Sequence, residues 1–436
     1  MELRYRETCR LTPIELQQCG HELVAYRQQL RAVATRGGYE AVESSLCLPS
    51  DAALFAQVSA AVKAMVNASL KYVVVVGIGG SNLGTKAVYD ALAGGFETLE
   101  PRRFPKLLFA DTVDPEWLQR FKTLLDTEVK RSGEVLVSLI SKSGSTTETV
   151  VNFEILYRQL SRRFKAAARR VVVTTDEGSK LWQLAETLGL RRLSVPKPVG
   201  GRYSVLSAVG LFPLAAAGYN VKALRAGASA MRERCLAERL EDNPAMLSAS
   251  ILYQQRQRGF LIHDTFVFHP ELESLGKWYR QLMGESIGKE QDAEGKTVNA
   301  GMFPTVSVGS TDLHSVGQLY LGGPKAVVTT FVASAKSASV KIPSNLQLTG
   351  LVPGIAGKTV ADVMAAIRSG VKIAYGKRGL PFMEVILGDQ SERSLGEFLQ
   401  FKMMEMMYLG KLVRVNAFDQ PNVEAYKVET RRILGR

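Results

Sequence analysis

Between residues 70 and 200 short unbroken apolar runs alternate with amphipathic stretches. Tyr72–Val76, Lys106–Ala110, Val135–Ile140 and Val171–Thr174 read as buried strands, and a helical pattern covers Asn82 to Leu92. Continuous β-branched runs separated by helices predict a parallel sheet covered on both faces. A second rhythm of this kind takes in Phe260–Phe268, Ala326–Val332 and Phe382–Leu387, with a long helical pattern over Leu395–Leu412. The most membrane-like stretch, Val205 to Val221, holds Ser207, Gly210, Pro213 and Gly218 and is short for a span, so it reads as a buried helix. The fold class is α/β: two doubly wound α/β sandwiches with parallel sheets, an N-terminal helical segment and a C-terminal helix. The expected division is 1–60, 61–220, 221–415 and 416–436.

Composition narrows the functional classes. A chain of 436 residues is long for a single core, and 46% hydrophobic content with 22% charge describes a globular protein. The net charge of +13 suits anionic ligands. The basic residues are scattered in short pairs such as Arg102-Arg103 and Arg169-Arg170, with no aromatic-interleaved stripe, so nucleic acid is not the expected partner. Cys9, Cys19, Cys47 and Cys235 lie far apart without a C-x-x-C pair, which speaks against a disulfide framework or a zinc site and for a reducing compartment. The opening Met1-Glu2-Leu3-Arg4-Tyr5-Arg6 has no apolar signal core, so a cytoplasmic location without membrane attachment is expected.

Two segments carry chemistry on their own. Gly77-Ile78-Gly79-Gly80-Ser81-Asn82-Leu83-Gly84 directly follows a strand, where exposed backbone N–H groups at a helix start favour an anion. A dinucleotide fingerprint from Gly77 fails at Asn82, and a phosphate-binding P-loop from Gly79 fails because Thr85-Lys86 stands in the wrong order. A glycine-rich turn without a ligand is the plainer alternative. Ser141-Lys142-Ser143-Gly144-Ser145-Thr146-Thr147-Glu148-Thr149 places six hydroxyls in nine residues at a strand-to-helix junction. One or two would be capping groups; six supply donors for phosphate oxygens, which the helix dipole also attracts.

This hydroxyl run resembles the phosphate loop of sugar isomerase (SIS) domains. With four further motifs it resembles the phosphoglucose isomerase family. Gly200-Gly201-Arg202-Tyr203-Ser204 through Gly210 is similar to that family's arginine signature, and Gln281-Leu282-Met283-Gly284-Glu285-Ser286-Ile287-Gly288-Lys289 to its glutamate segment. Gly309-Ser310-Thr311-Asp312-Leu313-His314-Ser315 resembles its histidine segment, and Phe418-Asp419-Gln420-Pro421-Asn422 through Lys427 its lysine signature. The matches run in family order from about residue 77 to 427. Asn422 replaces a small residue of the pattern, and the chain looks shorter than the long members of the family.

The resemblance implies interconversion of glucose 6-phosphate and fructose 6-phosphate through a cis-enediol, with SIS-type sandwich domains and neither cofactor nor metal. Glu285 would be the base, and a carboxylate suits a partly desolvated proton transfer. Arg202 would steady the enediolate with a charge that never titrates away. His314 and Lys427 would open the sugar ring, since an imidazole titrates near neutrality. Ser141, Ser143, Thr146 and Thr149, with the backbone of Lys142, would hold phosphate. Gly80 and Ser81 would contact the sugar, and Gln281 and Gln420 would orient it. The partner would be a second copy in a homodimer, each copy giving His314 to its neighbour's site. The other histidines have local roles: His21 at the surface, His263 and His269 flanking a strand without a metal-ligand pattern. The competing readings are a non-catalytic SIS-type sugar-phosphate sensor, an isomerase that also accepts mannose 6-phosphate, and a dehydrogenase, which the failed fingerprint disfavours.

Overall fold

A computed structural model describes residues 1–435. Strand β1 (Glu2–Arg4) is followed by helices Pro13–Glu22, Val24–Arg36 and Ala52–Met65. Next come β2 (Tyr72–Val76), β3 (Lys106–Ala110), β4 (Val135–Ile140), β5 (Val171–Thr175) and β6 (Arg191–Ser194). They form a parallel sheet in the order β3-β2-β4-β5-β6. Every residue of β2, β4 and β5 is buried, as unbroken Val-rich strands covered on both faces must be.

The second sheet is assembled from β7 (Ile262–Val267), β10 (Phe303–Val308), β11 (Val327–Ser334) and β12 (Phe382–Leu387), with the hairpin β8 (Lys289–Gln291) and β9 (Thr297–Ala300) standing apart. Its order is β1-β12-β11-β7-β10, and β1 joins antiparallel, Leu3 opposite Val385. The expectation of two parallel sheets therefore holds except at this edge, where a strand from the N-terminal segment pairs with β12. The stretch from Val205 gives a short buried helix, Ala208–Ala216, and among the described residues no single helix is long and apolar enough to cross a membrane.

One large core lies between the sheets and unites Val73, Val75, Leu136 and Val172 with Trp278, Leu282, Phe398 and Phe401. The outer face of the first sheet is closed by Phe121, Phe153, Leu156 and Leu160, and that of the second, lined by Phe266, Phe331 and Phe382, by Tyr375 and Ile367 of helix Val360–Arg378. Helix Glu392–Val413 runs through the centre, and its Lys402 and Glu405 are fully buried as an ion pair at 2.8 Å. Glu405 also accepts hydrogen bonds from Ser248 and from Tyr279 of helix Glu273–Ile287, so the pair is satisfied rather than stranded.

Strand order fixes where a ligand can sit. The chain leaves β2 towards β3 on one side and returns to β4 on the other. Helix Leu83–Leu92, after β2, packs Ala87 and Val88 into the inner core, whereas helix Thr147–Arg163, after β4, packs Phe153 and Leu156 on the opposite face. Two neighbouring strands whose helices depart to opposite faces leave a crevice at their carboxyl ends. The glycine turn and the hydroxyl loop are the two segments that leave those ends.

Candidate active site

The glycine turn and the hydroxyl loop touch at their origin. A Cβ on Gly77 would stand 2.9 Å from the Ile140 carbonyl at the end of β4. In the hydroxyl loop Ser141 Oγ lies 3.2 Å from Thr146 Oγ1 and accepts from the Gly144 N–H at 3.1 Å. Gly144 has φ of +72°, and a Cβ there would strike Leu181 at 2.6 Å, so the loop needs glycine at its tightest point. Thr146 is the N-cap of helix Thr147–Arg163 but makes no side-chain cap bond, so first-turn N–H groups face the loop without that partner. The Thr149 hydroxyl is buried and unpartnered. Ser143 is exposed. The Lys142 carbonyl accepts from Thr175 Oγ1, while its ammonium donates to the Lys197 carbonyl; burial lowers the pKa of that ammonium.

The arginine segment meets the same crevice. A Cβ on Gly80 would lie 2.2 Å from the Gly201 carbonyl carbon and 2.6 Å from the Arg202 nitrogen, so only glycine permits this approach of two backbones. Gln281 Nε2 is the neighbour of Gly79 on its other side. Ser81 closes the turn Gly79–Ser81.

Arg202 is the hub, with its side chain 1% exposed. Its Nη1 donates to Glu285 Oε2 at 3.2 Å and to Gln420 Oε1 at 2.9 Å. Its Nη2 donates to the carbonyls of Ala417 at 2.6 Å and Asp419 at 3.0 Å, and its Nε to Ser286 Oγ at 3.0 Å. A guanidinium remains charged when buried, and here both ends of its fork find acceptors. Glu285 Oε1 accepts from Gln281 Nε2 at 2.9 Å, one helical turn earlier on Glu273–Ile287. With its side chain 27% exposed, Glu285 presents a carboxylate to the crevice while the arginine behind it is dry.

His314 and Lys427 make no hydrogen bond to this cluster. His314 ends the turn Thr311–Leu313 after β10 and is exposed, and the hydrogen bonds joining Arg202, Glu285, Gln281 and Gln420 do not reach it. Lys427 lies on the exposed helix Glu424–Leu434 and donates to Glu424 Oε1 at 2.8 Å. Asn422 anchors the preceding turn by donating to Glu290 Oε2 at 2.9 Å. His21 is exposed. His263 lies inside β7 rather than beside it, with Nε2 2.8 Å from Thr330 Oγ1, and burial lowers its pKa well below the usual range. Burial also lowers the pKa of His269. Among the described residues no three His, Cys, Asp or Glu side chains are grouped as metal ligands would be.

Three participants stand in the quoted motifs without a role assigned to them: Lys289, Tyr203 and Ser286. Tyr203 is buried, with its hydroxyl 3.0 Å from Ser286 Oγ and donating to the Ala417 carbonyl at 3.3 Å. Lys289 donates to the carbonyls of Glu285 and Asp419. A lysine four residues beyond a helical glutamate, where it can reach the last carbonyls of the helix, was the available signal for Lys289. Tyr203 and Ser286 had none, because their value lies in a contact between segments 83 residues apart.

The two-sheet fold belongs to the class of sugar-phosphate isomerases. It matches a glucose-6-phosphate isomerase from Chlamydia trachomatis with a TM-score of 0.82 over 99% of this chain and 88% of that one, at 20% identity. A hypothetical protein from Thermus thermophilus matches with a TM-score of 0.88 over the whole of both chains, at 32% identity. A family model described as phosphoglucose isomerase covers residues 24–436. Glucose-6-phosphate isomerases of Carboxydothermus hydrogenoformans and Symbiobacterium thermophilum are 35% and 36% identical, over 85% and 83% of this chain and 80% of each relative. The chain belongs to the phosphoglucose isomerase family.

Proposed function

We propose that this chain interconverts glucose 6-phosphate and fructose 6-phosphate, and that Glu285 and Arg202 carry the hydrogen transfer. The observation that carries the assignment is the pairing of a half-buried carboxylate with a buried guanidinium beside a hydroxyl-rich anion loop. The substrate phosphate sits on Ser141, Ser143, Thr146 and Thr149 and the backbone at Lys142, at the start of helix Thr147–Arg163. The sugar then extends past Gly80 and Ser81 towards Gln281, Gln420 and Glu285.

The reaction is an internal redox change: C1 is reduced as C2 is oxidised, so no outside oxidant or reductant is needed. Lys427 and His314 protonate the ring oxygen and deprotonate the anomeric hydroxyl, which opens the ring. Glu285 takes the proton from C2, electron density moves to O1, and Arg202 offsets the charge of the enediolate. The hydroxyl proton passes from O2 to O1, and Glu285 returns its own proton to C1. No metal or cofactor enters any step.

The exposed position of His314, without a hydrogen bond to the cluster, supports a homodimer in which each subunit lends this histidine to the other, and four free cysteines support work in the reducing cytoplasm. The test is solvent exchange of the C2 hydrogen of glucose 6-phosphate, together with NADPH formation from fructose 6-phosphate through glucose-6-phosphate dehydrogenase, in the presence of EDTA. Activity with partial exchange is expected, and Glu285→Gln should lose both. A Glu285→Gln enzyme exchanging at the wild-type rate would show another base at work, and loss of turnover in EDTA that a divalent ion restores would refute the metal-free reaction.

A further inference from the structure

Lys289 opens β8 directly after the helix that carries Glu285, and its side chain is 5% exposed. A buried ammonium costs stability unless it is fully engaged. This one donates to the Glu285 carbonyl at 2.5 Å and to the Asp419 carbonyl at 2.7 Å, and lies 3.3 Å from Asp419 Oδ1. The Asp419 carbonyl accepts from Arg202 Nη2 as well, so two buried cations converge on one loop. That loop continues into Gln420, whose side chain accepts from Arg202.

Glu285 occupies the last turn of helix Glu273–Ile287, where the unpaired carbonyls carry partial negative charge. This is the wrong end of a helix for a carboxylate. Arg202 and Lys289 are the two cations that offset it, one at the carboxylate and one at the carbonyls. The charged groups acting on Lys289 are Arg202, Asp419 and Glu285: burial and Arg202 lower its pKa, and Asp419 and Glu285 oppose them.

We infer that Lys289 is a positioning residue for the isomerisation: its ammonium caps the helix end beneath Glu285, locks the Asp419–Gln420 loop onto Arg202, and sets a fixed positive charge beneath the residue that takes the proton. The inference rests on the reading of Glu285 as the base. Asp419 tempers the effect by placing a negative charge beside the ammonium.

The test is kcat against pH across the acid range for the wild type and for Lys289→Met, Lys289→Arg and Asp419→Asn, followed by proton NMR so that no coupling enzyme is needed. The substrate phosphate titrates identically with every variant, so differences between profiles report the enzyme. Lys289→Met should lower kcat at least about tenfold, equivalent to about 1.4 kcal/mol, and move the acid limb to higher pH. Lys289→Arg should return the limb to its wild-type position with most of the rate. Asp419→Asn should move the limb the opposite way, to lower pH. A Lys289→Met enzyme whose limb stays in place overturns the inference even if its rate falls, because lost packing alone would slow turnover without altering the base. If Lys289→Met does not fold, an unmoved limb in Asp419→Asn overturns it instead. Glu285→Gln run alongside separates the two readings: wild-type activity there removes the base itself, whereas an inactive Glu285→Gln with unmoved limbs elsewhere removes only the role of Lys289.

Discussion

The groups proposed for hydrogen transfer and those proposed for ring opening are built in opposite ways. Arg202 is buried, and all three of its donor nitrogens are engaged, by Glu285 and Ser286 of one segment and by Gln420 and the carbonyls of Ala417 and Asp419 of another. His314 stands on an exposed turn and Lys427 on an exposed helix, where it donates to a glutamate of that same helix. Stabilising charge that develops in a transition state gains most from dipoles fixed in advance in a dry setting. Proton shuttling at a ring oxygen requires a titratable group that meets the substrate after it binds, and a solvated side chain can do that. In the proposed mechanism one protomer supplies the electrostatic site, and its acid–base accessories are brought up, by a neighbouring subunit for His314 and by the terminal helix for Lys427.

Breaking the finished side should have the largest effect. Glu285→Gln preserves size and keeps an amide oxygen to accept from Arg202, while Gln281 must turn its own amide to accept rather than donate. It cannot accept a proton, so kcat should fall by about 10²–10⁴-fold with KM little changed. Arg202→Met removes the proposed enediolate partner and takes one donor from each of the Ala417 and Asp419 carbonyls, leaving them Tyr203 and Lys289. A loss of about 10²–10³ in kcat is expected, as for other preorganised donors to a developing oxyanion, with a clear drop in thermal stability besides. If Arg202→Met lowered stability but left kcat intact, the arginine would be a structural clamp and the contrast would collapse. In the phosphate loop, Thr146→Ala and Ser143→Ala should each raise KM through the loss of about 1.5–3 kcal/mol of hydrogen bonding to a charged group. An unchanged KM in both would place the phosphate elsewhere.

Legibility from sequence follows the same division between buried and exposed. The central strands β2, β4 and β12 could be bounded to the residue because each is an unbroken buried run. Of the edge strands only β3, Lys106–Ala110, could likewise be bounded to the residue. β1 reads Glu-Leu-Arg, β6 reads Arg-Arg-Leu-Ser, and β10 carries Pro304, which an edge tolerates because that side makes no ladder bond. These three carry the polar and breaking residues that hide an edge from a hydrophobicity pattern. At the site, the motifs were legible as chemistry, but their assembly was not. That Gln281 reaches Glu285 follows from helical spacing; that Arg202 meets the Ala417 and Asp419 carbonyls depends on a chain reversal of more than two hundred residues.

The dimeric half of the contrast can be tested by subunit mixing. His314→Ala and Glu285→Gln proteins, each nearly inactive alone, should regain part of the wild-type rate when unfolded together and refolded, because one of the two sites in a mixed dimer would be intact. An active monomer in analytical ultracentrifugation would contradict the shared arrangement.

The smallest effect on the fold, and the sharpest test of the division, is expected at Lys427. Its ion pair with Glu424 is exposed, and such pairs contribute only about 0–1 kcal/mol. The helix Glu424–Leu434 has no buried residue, so Lys427→Ala should leave the melting temperature essentially unchanged. Any loss of activity in that variant must therefore come from chemistry rather than from unfolding. If Lys427 serves ring opening, the loss should appear with cyclic glucose 6-phosphate and largely vanish with an open-chain substrate analogue. An equal loss with both would place Lys427 beside Arg202 in the hydrogen transfer. That outcome would require the terminal helix to fold over the crevice during the whole cycle, because a solvated ammonium paired with Glu424 cannot stabilise an enediolate from where it stands. No loss with either substrate would assign the ring oxygen to His314 alone.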